Sequence, residues 1–177
     1  MPIVQKSEES PRYRYPMSSM EWREAAERIR DEISALDQEK VQHSMHCITW
    51  GIEWLDPLMH RYCMETCPSC QDPCCTGKEV FFNQADLLYL TALNTQIPPG
   101  QTRSRPWETC RYLGEKGCML SRFHRPYVCV WFLCDAQMKI LSLESNRFQR
   151  RFLETLQKIR VHRLALESLY ERNAQGD

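Results

Sequence analysis

The chain has no apolar stretch long enough to cross a bilayer. Its longest uninterrupted run covers residues 127–134, eight in number, against the ~20 that a spanning helix needs. It also has no serine-nucleophile elbow, no phosphate-cradling glycine loop and no His-Glu-x-x-His arrangement, so it shows no positive mark of catalysis and an enzyme is the secondary reading. The first residues, from Met1 to Lys6 with Glu8, Glu9, Arg12 and Arg14 behind them, lack the apolar core of a secretory signal. A cytoplasmic location with no membrane association is therefore expected. There is no excess of charge of either sign, the formal net charge being +0, which speaks against a general nucleic-acid binder.

What is there is an ordinary folding composition, 42% hydrophobic and 26% charged over 177 residues, suited to one soluble domain. The neutral total conceals an asymmetry. Residues 1–90 carry 9 basic and 15 acidic groups, net −6, and residues 91–177 carry 14 basic and 8 acidic, net +6. Acidic and basic helices are expected to face each other, with a protein partner on the basic C-terminal helix as the alternative.

Residues 1–17, with three prolines and no periodicity, read as a loosely attached arm, and residues 18–177 as a single domain. Ser18-x-x-Glu21 is a capping box, followed by Trp22, Ala26, Ile29, Ile33 and Leu36 at helical spacing. A second helical stripe carries Ile48, Ile52, Leu55 and Met59, with Pro57 a candidate kink. Asn83 and Asp86 cap a short helix bearing Leu87, Leu88, Leu90 and Leu93. Residues 110–120, with Gly114 and Gly117 at the turn, predict a small hairpin. The dense apolar run at 127–134 predicts a buried segment, with Asp135 as the cap of the helix behind it. A long amphipathic helix over about residues 136–172 closes the chain, its stripe of Phe148, Phe152, Leu156, Ile159, Leu166 and Leu169 lying opposite Arg150, Arg151, Lys158, Arg160 and Arg163. The fold class expected is mainly α with a small β-hairpin, the helices packed around a cysteine-rich metal-binding region at 63–134. The two amphipathic helices at the ends of the domain are expected to pack on each other.

Ten cysteines in a chain without an export signal point to metal ligation rather than disulfides. Eight fall into two groups: Cys67-x2-Cys70-x3-Cys74-Cys75 and Cys110-x7-Cys118-x10-Cys129-x4-Cys134. Four thiols within nine residues of a loop can aim several sulfurs at one ion, whereas free cysteines used for packing are isolated. Cys47, alone in a helical stripe, reads as core filler. His60 and His124 are near enough to the cysteines to be ligands or supporting hydrogen-bond partners but read as scaffold. His43, His46 and His162 read as helix residues.

These residues resemble the YkgJ-like cysteine-cluster proteins, the CxxCxxCC or zinc- or iron-chelating domain. The likeness rests on Cys67-x2-Cys70-x3-Cys74-Cys75, the apolar segment and Asp86 helix behind it, Cys110, Gly117-Cys118 and Arg125-Pro126-x2-Cys129, and covers residues 67–134. The chain departs from the pattern by one extra residue between Cys70 and Cys74, and by Val130 where a basic residue is usual. The resemblance implies chelation of zinc or iron by Cys67, Cys70, Cys74, Cys75, Cys110, Cys118, Cys129 and Cys134.

Two observations weigh the metal. A zinc knuckle wants a glycine after Cys67-Pro68-Ser69-Cys70, and the chain has Gln71. Counting Cys63 as a further ligand gives Cys63-x3-Cys67-x2-Cys70-x3-Cys74, a close spacing suited to a cluster. An iron–sulfur cluster is therefore the expected cofactor, with four-cysteine zinc sites as the alternative and a redox or cluster-dependent enzyme or electron-transfer partner as the third reading. The triplet Cys63-x3-Cys67-x2-Cys70 also resembles the radical S-adenosylmethionine signature, but this chain lacks the alternating strands and helices of that barrel. Arg125 is expected to offset thiolate charge. A metal bridging residues 67 and 134 would contribute folding energy as well as binding energy.

Overall fold

The computed structural model describes residues 17–76, 80–105, 107–115 and 117–175. The arm expected over residues 1–17 lies outside them except for Met17, which is buried. Among the described residues six helices and one hairpin run in order: α1 (Ser19–Ser34), α2 (Gln38–Thr66), a 3-10 turn (Cys67–Ser69), α3 (Gln84–Ala92), β1 (Leu113–Gly114), β2 (Gly117–Cys118), a second 3-10 turn (Arg122–His124), α4 (Tyr127–Trp131), α5 (Asp135–Ser142) and α6 (Asn146–Gln175). The protein is mainly α with a small antiparallel hairpin in which Leu113 faces Cys118. Among the described residues no helix is long and apolar enough to cross a membrane.

The local signals for the first helices are realised. Ser18 Oγ accepts from the Glu21 N–H at 3.2 Å while Glu21 accepts from the Ser18 N–H at 2.7 Å, and Asn83 and Asp86 repeat that reciprocal cap at α3. Both reciprocal bonds satisfy N–H groups that a helix start leaves without partners. The predicted stripes of α1 and α2 are buried. Pro57 lies inside α2 without ending it, and the helix runs on to Thr66, so Cys63 sits in its last turn.

Helices α2 and α6 are antiparallel, as the pairs Trp54–Phe148 (5.9 Å between ring centroids) and His43–His162 (5.2 Å) show. Gly51 permits their close approach, because a Cβ there would stand 2.6 Å from Ile159 Cγ1. The expected pairing of the two terminal helices is corrected: α6 lies chiefly along α2, and α1 along α3. The terminal helices meet where the Tyr170 hydroxyl donates to Glu32. The helix length of α2 explains this, since it alone offers a partner long enough to cover the stripe of α6.

Three further expectations are corrected. The closing helix over 136–172 is two helices, α5 and α6, separated at Leu143–Ser145, where the Ser145 hydroxyl accepts from the Phe148 N–H at 3.3 Å and so opens a new helix. Residue 135 is not the cap of α5: Cys134 holds that position. The run at 127–134 is the short helix α4 followed by extended chain, and only Val130 of it is fully buried.

Arg163, placed on the charged face by periodicity, is turned inward. Its guanidinium donates to Asp86 Oδ1 at 2.6 Å, with both side chains nearly inaccessible (7% and 4%), and it stacks 4.5 Å from the Tyr127 ring centroid. Two other basic residues of α6 cover tryptophans of α2, Arg151 over Trp54 at 4.7 Å and Lys158 over Trp50 at 5.1 Å. Removing one partner of a buried ion pair strands the other, so Arg163→Met should lower unfolding free energy by about 3–5 kcal/mol, whereas exposed Arg160→Ala should stay within about 0.5 kcal/mol. Urea denaturation of both variants checks the contrast.

Candidate metal centre

The end of α2 and the loops behind it carry the first cysteine group. Cys63 is in the last helical turn and Cys67 opens the 3-10 turn that ends the helix. The Cys70 N–H then donates to the Cys67 carbonyl at 3.1 Å, so the chain doubles back on itself between two thiols. Cys67, Cys70 and Cys74 are exposed, and Cys63 and Cys75 are half-buried.

The second group is brought to the first by backbone pairing. The Cys110 N–H donates to the Cys75 carbonyl at 2.9 Å, and the Arg111 N–H to Thr102 at 2.7 Å. Around this seam Gln101 bonds both the N–H (2.8 Å) and the carbonyl (3.0 Å) of Phe82, acting as a strand neighbour. Cys118 takes its place from the hairpin register, opposite Leu113. Cys129 is placed by α4, whose first residue is fixed by a 2.9 Å bond from the Tyr127 N–H to Asp86. A second support is buried Arg122, which pairs with Asp56 of α2 at 2.9 Å and donates to the Cys129 carbonyl at 3.3 Å.

The thiols act on one another across the two groups. Cys75 is pushed up by a hydrogen bond with Cys74, by burial, and by repulsion from Cys74, Cys110 and Cys118. Burial, with repulsion from Cys74, Cys118 and Cys110, raises Cys129 to about 12. Cys67 is raised to about 11 by burial and by Cys63, with a smaller contribution from Cys74. Electrostatic influence thus runs between the two groups through Cys74, Cys75, Cys110, Cys118 and Cys129, but among the described residues no three of these sulfurs lie within 4.8 Å of one another. Cys134 stands at the start of α5, and Gln137 links it to Cys63: the Gln137 carbonyl oxygen accepts from the Cys134 N–H at 3.4 Å while its amide donates to Cys63 Sγ at 3.6 Å.

Cations temper this anionic tendency. Arg125 favours the Cys129 thiolate, as expected, and its Nε is fixed on the Leu120 carbonyl at 3.0 Å. Arg103, which sequence reasoning does not single out, is buried and favours the Cys110 thiolate through charge and a side-chain hydrogen bond. Its only sequence signal is proximity to Cys110. His124 is scaffold: its two ring nitrogens bond Thr95 at 2.9 Å and Ser121 at 2.7 Å. His60 is exposed.

A separate constellation escapes sequence reasoning. His43, Cys47 and His162 each offer a ligand atom, and these atoms all lie within 4.8 Å of one another. The i, i+4 spacing of His43 and Cys47 is visible in the sequence, but its partner on α6 is not. His162 is held below the usual imidazole range by burial, then by His43 and Lys158.

No protein-family model matches the chain, and no match was found among curated proteins or solved structures.

The raised thiols carry a pH prediction. In metal-free, reduced protein, Cys67 and Cys129 hold their protons in the folded chain to about 11 and about 12, while the unfolded chain releases them near 9. The stability associated with them is complete below pH 9 and declines as pH rises toward those values, because the unfolded state loses its protons first. Denaturation midpoints measured between pH 8 and 11 should fall, and fall less steeply in Cys129→Ser.

Proposed function

We propose that the chain is a metal-binding protein of the YkgJ-like type, in which Cys67, Cys70, Cys74, Cys75, Cys110, Cys118, Cys129 and Cys134, with Cys63 beside them, provide the ligands of an iron–sulfur cluster. The observation that carries this reading is the 2.9 Å hydrogen bond from the Cys110 N–H to the Cys75 carbonyl, which joins the two halves of the motif through their own cysteine peptides. Sequence separation alone gives no reason for such groups to meet. A neighbourhood that opposes thiolate formation until a cation arrives fits a metal or cluster chemically, because the bound group replaces the protons with its own positive charge.

A bound iron–sulfur cluster would supply one-electron redox capacity, its potential tuned by charge, hydrogen bonds and solvent exposure. This chain's contribution is to hold the ligands and adjust that environment. Arg103 and Arg125 offset thiolate charge, Gln137 donates to Cys63, and Arg122 fixes the peptide that carries Cys129. Zinc is the second reading, favoured by the 3-10 turn that folds Cys70 back on Cys67, a compact two-cysteine loop of the kind zinc accepts.

Anaerobic purification followed by iron, sulfide and zinc analysis decides between them. The cluster reading expects brown, oxygen-sensitive protein with iron and acid-labile sulfide in equal amounts; colourless protein with stoichiometric zinc and no sulfide overturns it. Cys74→Ser and Cys129→Ser should lose most of the iron, and Cys47→Ala should keep it. Stripping the metal should speed amide exchange in residues 67–76 and 117–134 while leaving the α2–α6 contact protected, since no residue of the Cys67–Ser69 turn is buried.

A further inference from the structure

We propose that His43, Cys47 and His162 form a second metal site, separate from the cysteine cluster, that takes one Zn²⁺ ion across the α2–α6 interface. The inference is independent of what the cluster holds. Residues four apart on a helix stand one above the other on the same face, so His43 and Cys47 point the same way. That face of α2 meets α6. Gly51, one turn beyond Cys47, is where Ile159 packs against the helix backbone. His162 lies three residues beyond Ile159, on the next turn of α6, and antiparallel packing brings it level with His43 and Cys47. The result is two imidazoles with ring centroids 5.2 Å apart at a 71° interplanar angle and a thiol beside them, all three ligand atoms within 4.8 Å of one another.

The donor set decides the ion. Two imidazoles and one thiolate suit a borderline divalent metal with no demand for a particular d-electron geometry, and zinc takes such mixed nitrogen and sulfur ligands tetrahedrally at ~2.0–2.3 Å. Tetrahedral bonds of that length put ligand atoms ~3.3–3.8 Å apart, so a closure of about 1 Å by rotamer adjustment assembles the site. Cys47 is buried and His43 is exposed, which puts the sulfur at the inner end and leaves a solvent-facing position for water as the fourth ligand. Binding releases the Cys47 thiol proton to solvent as the zinc–sulfur bond forms. Lys158, the cation that acts on His162, is drawn over the Trp50 ring at 5.1 Å.

Distance separates this site from the other. Cys47 and Cys63 are sixteen residues apart along α2, about 24 Å at 1.5 Å per residue, so no single ion or cluster serves both.

The experiment is a Zn²⁺ titration of the full reduced chain, followed through the ring nitrogens of its histidines by ¹H–¹⁵N correlation spectra. His43 and His162 should shift together and saturate with one added equivalent beyond whatever the cluster cysteines take, while His46, exposed on the same helix, stays in place. Cys47→Ala should weaken the response at least about tenfold, and His162→Gln should abolish the shift of His43. Unmoved His43 and His162 resonances in excess zinc would overturn the proposal. So would a His43 response that persists unchanged in His162→Gln, because His43 would then be binding zinc without its partner. Loss of the cluster metal in Cys74→Ser leaves both expectations untouched, so the two sites fail or succeed separately.

Discussion

One carboxylate organises the part of the molecule that carries the cysteines. Asp86 Oδ1 accepts from the Arg163 guanidinium and from the Tyr127 N–H, and Oδ2 accepts from the Asn83 N–H that opens α3. Three chain segments, α3, α4 and α6, are thereby tied to one buried group. Burying a charged pair is costly unless its remaining lone pairs and protons are satisfied. Here the carboxylate has three donors, and the guanidinium lies over Tyr127 with Tyr89 at 5.8 Å, where ring faces offset part of its lost hydration. What this arrangement secures is position: Tyr127 is two residues before Cys129, so the second cysteine group is registered against α6 through Asp86.

The cysteine region answers a different constraint. Thiols packed close together resist ionisation, and a metal requires them ionised. Cations act on two of these thiols: Arg125 on Cys129, and Arg103 on Cys110. Arg122 acts on the backbone instead, joining the Cys129 carbonyl to Asp56 of α2. The cysteines are therefore not carried on a free loop. They hang from the helical layer through a few bonds, Asp86 to Tyr127, Asp56 to Arg122, and Gln137 to Cys63, with Cys67, Cys70 and Cys74 exposed and the other six half-buried.

The first three helices, and the caps of α1 and α3, are legible in the sequence because each is encoded locally. Ser18 and Glu21 are three residues apart, as are Asn83 and Asp86, and the stripe from Ile48 to Met59 has one period throughout. The two cysteine groups are legible as groups for the same reason. Arg163 is misplaced by the pattern because periodicity assigns a face by average polarity, and a buried partner 77 residues away leaves no trace in it. The break between α5 and α6 is hidden because Leu143 continues the apolar pattern, while Ser145 signals a new start only weakly. His43, Cys47 and His162 read as helix residues and core filler since their meeting depends on how α2 and α6 align, which Gly51 and Ile159 settle.

Helix α2 links the two regions in a way that separates their energetics. Its middle, from Ile48 to Met59, is buried against the rest of the core, so ordinary apolar packing holds it. Its last turn carries Cys63 into a region with little burial of its own, where bonds to a metal would contribute more order than packing can. A ligand at the cysteine end would therefore act on local order first and on global stability only through Asp56, Gln137 and the start of α4. The His43 end behaves oppositely: an ion there would bridge two helices that already pack without it, adding stability to an interface already formed. The same helix thus presents one place where metal binding would substitute for a core and one where it would reinforce it.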